Sequence, residues 1–279
     1  QAENYPFGTI DPTVGFVDVP DPRLQKISAL VNPAKLIPTA IEFVDIAGLV
    51  AGASKGEGLG NRFLAHIREV DAIIHVVRAF NDDDITHVSG HVDPISDAGT
   101  IETELALADL ETLERAIERT SKAAKTGDKK VLRELEILKT THEALSNDTQ
   151  IAALLTEDEV IHALKPLCLL TAKPVVYVAN VAENELQGNE KVEALRKHAA
   201  EAVAQLVVVS AAIEQEISEI DPSDRPSFLE DLGLDESGLD KVIRAGYDLL
   251  GLQTFFTAGP KEVRAWTVRR GATAPQAAG

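Results

Sequence analysis

Asp45, Ile46, Ala47 and Gly48 form a D-x-x-G pattern at the end of the apolar run Ile41–Ile46. In phosphate-switch hydrolases a carboxylate at this place holds Mg²⁺, usually through water, and the glycine amide meets the γ-phosphate. Four residues are a weak signal alone, but the next segment strengthens it. Gly48, Gly52, Gly56, Gly58 and Gly60 fall within thirteen positions, a density suited to a loop that changes conformation. Upstream, Thr9 lies in the proline-flanked stretch Pro6–Pro12. Its hydroxyl and carbonyl are candidates for Mg²⁺ and the γ-phosphate, so Thr9 and Asp45 are the expected metal residues.

Two further loops carry base-recognition patterns. Asn180-Val181-Ala182-Glu183 stands where guanine-binding proteins carry N-K-x-D. The lysine is missing and glutamate replaces aspartate, so the carboxylate reaches a different point and guanine recognition is disfavoured. The same residues also suit a helix start capped by Asn180. Ser210-Ala211-Ala212 matches an S-A-x turn whose backbone amides face the base. The expected nucleotide-binding set is thus Thr9, Gly48, Asn180, Val181, Glu183, Ser210, Ala211 and Ala212. A glutamine commonly orients the attacking water one residue after D-x-x-G, but Leu49 has no polar atom. His87, in the acidic stretch Asn81–His87, is the expected catalytic substitute, because imidazole both donates and accepts near neutral pH. His75, inside an apolar run, reads as a core residue.

These motifs need a scaffold. Ile41–Ile46, Ala72–Val77, Pro174–Ala179 and Leu206–Val209 are short, nearly continuous apolar runs followed by Gly, Asn, Asp or Ser. They read as strands buried on both faces of a parallel sheet, with ligands at their carboxyl ends. Gly15–Val19 reads as an edge strand ended by Pro20 and Pro22. Between the second and third main strands, Leu110, Leu113 and Ile117, then Val131, Leu135, Leu138 and Leu145, follow helical spacing around Thr126-Gly127-Asp128. That pattern predicts an αα-hairpin inserted into an α/β domain. Glu262–Val268 reads as a strand opening a further small domain.

The whole chain has 279 residues, 44% hydrophobic, with net charge −18. It can bury a sizeable core, and its acidity disfavours whole-surface nucleic-acid binding, DNA included, leaving local basic patches for that role. A single cysteine, Cys168, fits a reducing, cytoplasmic setting and is expected to be a buried structural thiol. No apolar run reaches the roughly 20 residues of a bilayer span, so no membrane partner is expected. The phosphate-binding pattern G-x-x-x-x-G-K-[ST] does not occur, while D-x-x-G, N-x-x-E and S-A-x follow in the proper order; the loop is expected to precede Gln1 in a longer chain.

The segments Tyr5–Ile10, Pro20–Leu24, Glu42–Asn61, Thr103–Leu110 and Lys261–Thr267 resemble the YchF (Obg-like ATPase) family of Obg-related P-loop proteins. The resemblance covers essentially the whole chain. It implies an α/β P-loop G domain (1–100 and 166–251) interrupted by a helical hairpin (101–165), then the start of a β-rich TGS domain (252–279). It also implies ATP preferred over GTP, Mg²⁺ dependence, slow hydrolysis, and association with the ribosome, its large subunit in particular. The competing readings are a non-hydrolysing interaction scaffold and a GTPase of the wider Obg group.

Overall fold

The computed structural model describes residues 12–46, 59–82, 90–149 and 151–279. Thr9, Gly48 and His87 lie outside the described residues. The chain divides into two compact units, one of residues 1–12, 46–73 and 95–174 and the other of 13–45, 74–94 and 175–279. In order along the chain the elements are β1 (Thr13–Asp18), α1 (Pro22–Val31), β2 (Lys35–Ile37), β3 (Ala40–Asp45), α2 (Leu59–Glu69), β4 (Ile73–Arg78), α3 (Pro94–Ala124), α4 (Lys129–Ser146), α5 (Asp158–Leu164) and β5 (Val175–Asn180). They continue with α6 (Glu190–Glu201), β6 (Gln205–Val209), α7 (Ala211–Glu219), α8 (Arg225–Asp231), α9 (Gly238–Leu249), β7 (Leu252–Ala258), β8 (Glu262–Arg269) and α10 (Ala274–Ala278). No described helix is long and apolar enough to cross a membrane.

The first unit is helical. α3 starts at Pro94, seven residues before the expected periodic stretch, and α4 returns after a turn at Gly127, whose φ of 77° suits glycine. Asp128 caps α4, its side chain accepting from Lys130 N at 2.8 Å. Leu113 and Ala116 of α3 pack on Ile137, Leu138 and Leu145 of α4, with Leu164 and Leu169 completing the cluster. A second cluster joins Leu64 and Ile67 of α2 to Leu105 and Ala108 of α3 and to Leu170. The root of the hairpin is polar and dry. Asp109, with no exposed surface, accepts from Leu170 N, Thr171 N and Thr171 Oγ1 at 2.9, 2.8 and 2.7 Å.

Cys168 contradicts its sequence reading. It is exposed, because the short helical turn Lys165–Leu167 ends on it in the left-handed region, φ 47°. That turn carries the thiol outward while Leu169 and Leu170 remain buried.

The second unit contains the sheets. β1 and β3 pair antiparallel; β4, β5 and β6 lie side by side, with β5 and β6 parallel. Burial on both faces holds for β5, whose four central residues are all buried. It does not hold for β3 or β4, where Val76 is 62% exposed. α9 packs on both sheets. Ala245, Val242 and Leu249 meet β5 and β6, while Ile243 and Tyr247 meet Val17, Val19, Ile41 and Phe43. A methyl group on Gly246 would sit 3.7 Å from Ile74 Cδ1 and 3.8 Å from Ile41 Cδ1, so the helix contacts β4 and β3 at one point. The expected strand near 262–268 is β8. It pairs antiparallel with β7 and parallel with β2, a three-residue strand that the sequence pattern does not reveal. Val263, Ala265 and Phe256 of this sheet bury Leu24, Ile27 and Val31 of α1.

Candidate nucleotide site

Asp45, Asn180 and Ser210 each end or directly follow a strand of the second unit, as the apolar-run-then-polar pattern requires. β3 delivers Asp45 to its carboxyl end, where the residue is exposed. Among the described residues no group of three or more His, Cys, Asp or Glu could hold a metal ion. Mg²⁺ does not need one: it keeps several waters and is commonly bound through one or two protein oxygens plus substrate phosphates. A single exposed carboxylate at a strand end therefore fits it.

β5 and β6 set the geometry of the other two motifs. Asn180 lies opposite Val209 in the parallel register, and Val181 N donates to Val209 O at 2.8 Å. Val181 is 2% exposed, so its side chain is a buried anchor and its amide belongs to the sheet. Asn180 Oδ1 accepts from Ala211 N at 3.0 Å, and Asn180 O accepts from Ala79 N at 2.8 Å. One residue thus ties together the ends of β4, β5 and β6. After the loop turns at Ala182, Glu183 opens a single turn of 3₁₀ helix and is exposed. Ala211 and Ala212 are exposed at the start of α7, directly after the N-cap Ser210. Ser210 is 1% exposed, and its Oγ has no hydrogen-bond partner among the described residues. The second motif therefore offers backbone amides rather than a hydroxyl.

The described residues around this site include anchors that the motif reading missed. Asn189 Nδ2 donates to Ala79 O at 2.8 Å, and Lys191 Nζ donates to Val92 O at 3.1 Å. Asn189 followed by a charged helix is a recognisable N-cap signal; the reach of its amide across to Ala79 leaves no local trace. His75 is half-buried and stacks on Tyr177 with ring centroids 5.4 Å apart, in keeping with a packing role.

The two loops tied by Asn180 lie at the carboxyl ends of parallel strands, where α/β folds bind ligands. A family model described as "50S ribosome-binding GTPase" matches residues 1–107. A model for the C-terminal part of YchF GTPases, described as a protein of unknown function, matches residues 252–279. The chain is 56% identical over 282 residues to the "Ribosome-binding ATPase YchF" of Bacillus subtilis, covering 100% of this chain and 77% of that protein. The chain belongs to the YchF family. The protein of the same name from Escherichia coli O157:H7 is 53% identical over 279 residues, again covering 100% and 77%. Among solved structures, the Schizosaccharomyces pombe YchF GTPase aligns with a TM-score of 0.85 at 38% identity, covering 99% of this chain and 75% of that one. This YchF chain therefore has the α/β P-loop fold expected from its motifs.

Proposed function

We propose that this YchF chain is the switch-bearing body of a ribosome-associated nucleotide hydrolase that prefers ATP to GTP and acts in the cytoplasm. The observation that carries the reading is the pair of loops joined by Asn180 Oδ1 and Ala211 N, with Glu183 exposed beside them. Relatives named ribosome-binding ATPases support the activity and the partner. In this reading the Asn180–Glu183 loop and the amide of Ala212 receive the base, with Ala211 N tied to Asn180 Oδ1 and Val181 and Ser210 holding the two loops in the sheet. Glu183 carries one methylene more than the aspartate that reads guanine, and no lysine stem precedes it to cover the base. Asp45, through water, and Thr9 hold Mg²⁺, and Gly48 offers its amide to the γ-phosphate. When bound, Mg²⁺ would supply positive charge that offsets the negative charge developing on transfer.

Leu49 provides no polar atom for the attacking water, so His87 takes that role, orienting the water through its imidazole. The hairpin (101–165) and the C-terminal strands, as the start of a TGS domain (252–279), supply ribosome-facing surfaces, with the large subunit the expected target. Equilibrium titration of full-length protein with both nucleotides tests base choice. ATP should bind at least tenfold more tightly, a difference of about 1.4 kcal/mol. Tenfold tighter GTP binding would overturn the preference and favour a GTPase of the wider Obg group.

A further inference from the structure

β1 is an edge strand without the usual protections of an edge. It pairs with β3 on one side, and among the described residues no strand borders its other side. A free edge presents unpaired N–H and C=O groups, which proteins blunt with lysine, proline or a bulge. Thr13–Asp18 contains neither lysine nor proline. Its register runs unbroken from Thr13 opposite Asp45 to Asp18 opposite Ala40, so the strand has no bulge. At this length it extends about 20 Å, enough to seat a whole partner strand.

The two faces of the β1–β3 pair differ. Val17, Ile41 and Phe43 pack with Ile243 and Tyr247 of α9. Strand alternation therefore puts Val14, Phe16 and Asp18 on the opposite face, beside Val44, Glu42 and Ala40 in register. That face is open, with Phe16 75% and Val14 48% exposed. Exposed apolar side chains scattered singly need no explanation, but here two of them line a free edge. Charge on the same face is negative only. Asp18 and Glu42 are exposed and form no ion pair among the described residues. Neither strand contains lysine or arginine.

We propose that the outer edge of β1 docks an extended, basic segment of a partner protein, which adds a strand to the β1–β3 pair. In this mode main-chain hydrogen bonds supply affinity and alternate side chains supply specificity. On the open face the segment places apolar residues beside Val14 and Phe16, and lysine or arginine beside Asp18. A second copy of this chain is the poorer occupant. Two β1 edges would gather Asp18 and Glu42 of both copies on one face, and each copy carries a net charge of −18. The docking site is separate from the nucleotide reading and stands without it.

The test is calorimetric titration of full-length protein with a blocked peptide of about eight residues that alternates valine and lysine. The same peptide with glutamate for lysine should bind at least about tenfold more weakly, and added salt should weaken the lysine peptide. N-methylation along one edge of the peptide removes its main-chain donors and should abolish binding. Phe16→Lys removes the ring and adds a like charge against the peptide, so it should weaken binding about tenfold or more. Its melting transition should hold, because the side chain is exposed. Bound peptide should slow amide hydrogen exchange within Thr13–Asp18 more than in any other strand. Absence of binding at about 1 mM peptide would overturn the proposal. So would equal affinity for the lysine and glutamate peptides, equal affinity of wild type and Phe16→Lys, or protection centred elsewhere. Concentration-dependent dimers in ultracentrifugation, lost in Phe16→Lys, would give the edge to a second copy instead. If Phe16→Lys fails to fold, the peptide series and the exchange pattern on the wild type carry the test.

Discussion

Asn180 Oδ1 accepts a hydrogen bond from Ala211 N at 3.0 Å and thereby fixes the loop after β5 against the first turn of α7. Ala211 N is one of the helix-start amides without an intrahelical acceptor, so the side chain both satisfies it and sets the spacing of the two loops proposed to receive the base. Ala211 is exposed, and water can replace the missing bond, which limits the cost to folding. Asn180→Ala is expected to reduce stability by about 1 kcal/mol but ATP affinity by about tenfold, the larger effect arising from loss of preorganisation. Asn180→Asp keeps the acceptor and should recover part of the affinity. Calorimetric titration beside thermal melting separates the two effects.

Asp109 supports the root of the helical hairpin. Its carboxylate serves two amides and a hydroxyl, with Arg68 Nη1 3.9 Å away. Asp109→Ala would leave those donors unpaired in a dry site and should cost about 3 kcal/mol in chemical denaturation. Burial is the leading influence on its acidity and holds the carboxyl above its ordinary value, outweighing the bonds from Leu170 and Thr171 and the charge of Arg68. The native state then binds this proton more tightly than the unfolded state. The stability linked to it is full below the unfolded pKa, about 4, and is lost as pH rises through the raised native value. Asp109→Asn does not titrate, so its stability should lack that fall as pH rises above about 4. Parallel slopes for both proteins would contradict the assignment.

Sequence legibility followed the range of each interaction. β3, β4, β5 and β6 were readable because each is a short apolar run with a polar stop, a signal contained within the strand, and β1 because a more polar run is ended by Pro20 and Pro22. The placement of Asp45, Asn180 and Ser210 at or just beyond strand ends follows from the same rule. β2 was not readable, since three residues carry no period and its pairing with β8 spans more than 220 positions. Cys168 misled because three flanking leucines suggest a buried run, whereas a left-handed turn at the cysteine itself decides its exposure. The bonds from Asn189 to Ala79 and from Lys191 to Val92 join residues about 100 positions apart, so nothing local announces them.

Gly238 is a steric constraint beside the end of β6 and the start of α7. A methyl group there would lie 2.9 Å from both Glu214 Oε1 and Val209 Cγ1, and 3.1 Å from Val209 Cβ. Glu214 cannot move freely, because its carboxylate accepts from Gly238 N at 2.7 Å and Leu239 N at 3.0 Å and so caps α9. Gly238→Ala should therefore destabilise by about 1–3 kcal/mol, the usual cost of overpacking, despite the better helix propensity of alanine. Equilibrium unfolding measures this directly; a stabilised variant would show that the α7–α9 contact yields.

The hairpin tip carries the clearest local excess of positive charge on an acidic chain. Lys122, Lys125, Lys129, Lys130 and Arg133 flank the turn at Gly127, but they are not equivalent. Lys122 pairs with Glu118 at 2.7 Å, and Arg133 with Glu136 and Glu159, each at 2.9 Å. Lys125, Lys129 and Lys130 are exposed and form no ion pair among the described residues. These three are the charges available to phosphate. If the tip meets ribosomal RNA, neutralised phosphates release counterions and binding weakens steeply with salt. Reversing Lys125, Lys129 and Lys130 to glutamate should weaken co-sedimentation with ribosomes and reduce the slope of log affinity against log salt by about 2–3, roughly one for each phosphate no longer neutralised. Reversing Lys122 and Arg133 instead should change the slope less, because their charge is already committed to neighbouring carboxylates. Equal slopes for wild type and the triple variant would restrict the three lysines to keeping the tip solvated, and ribosome contact would have to come from another surface, such as Arg269 and Arg270 at the end of β8.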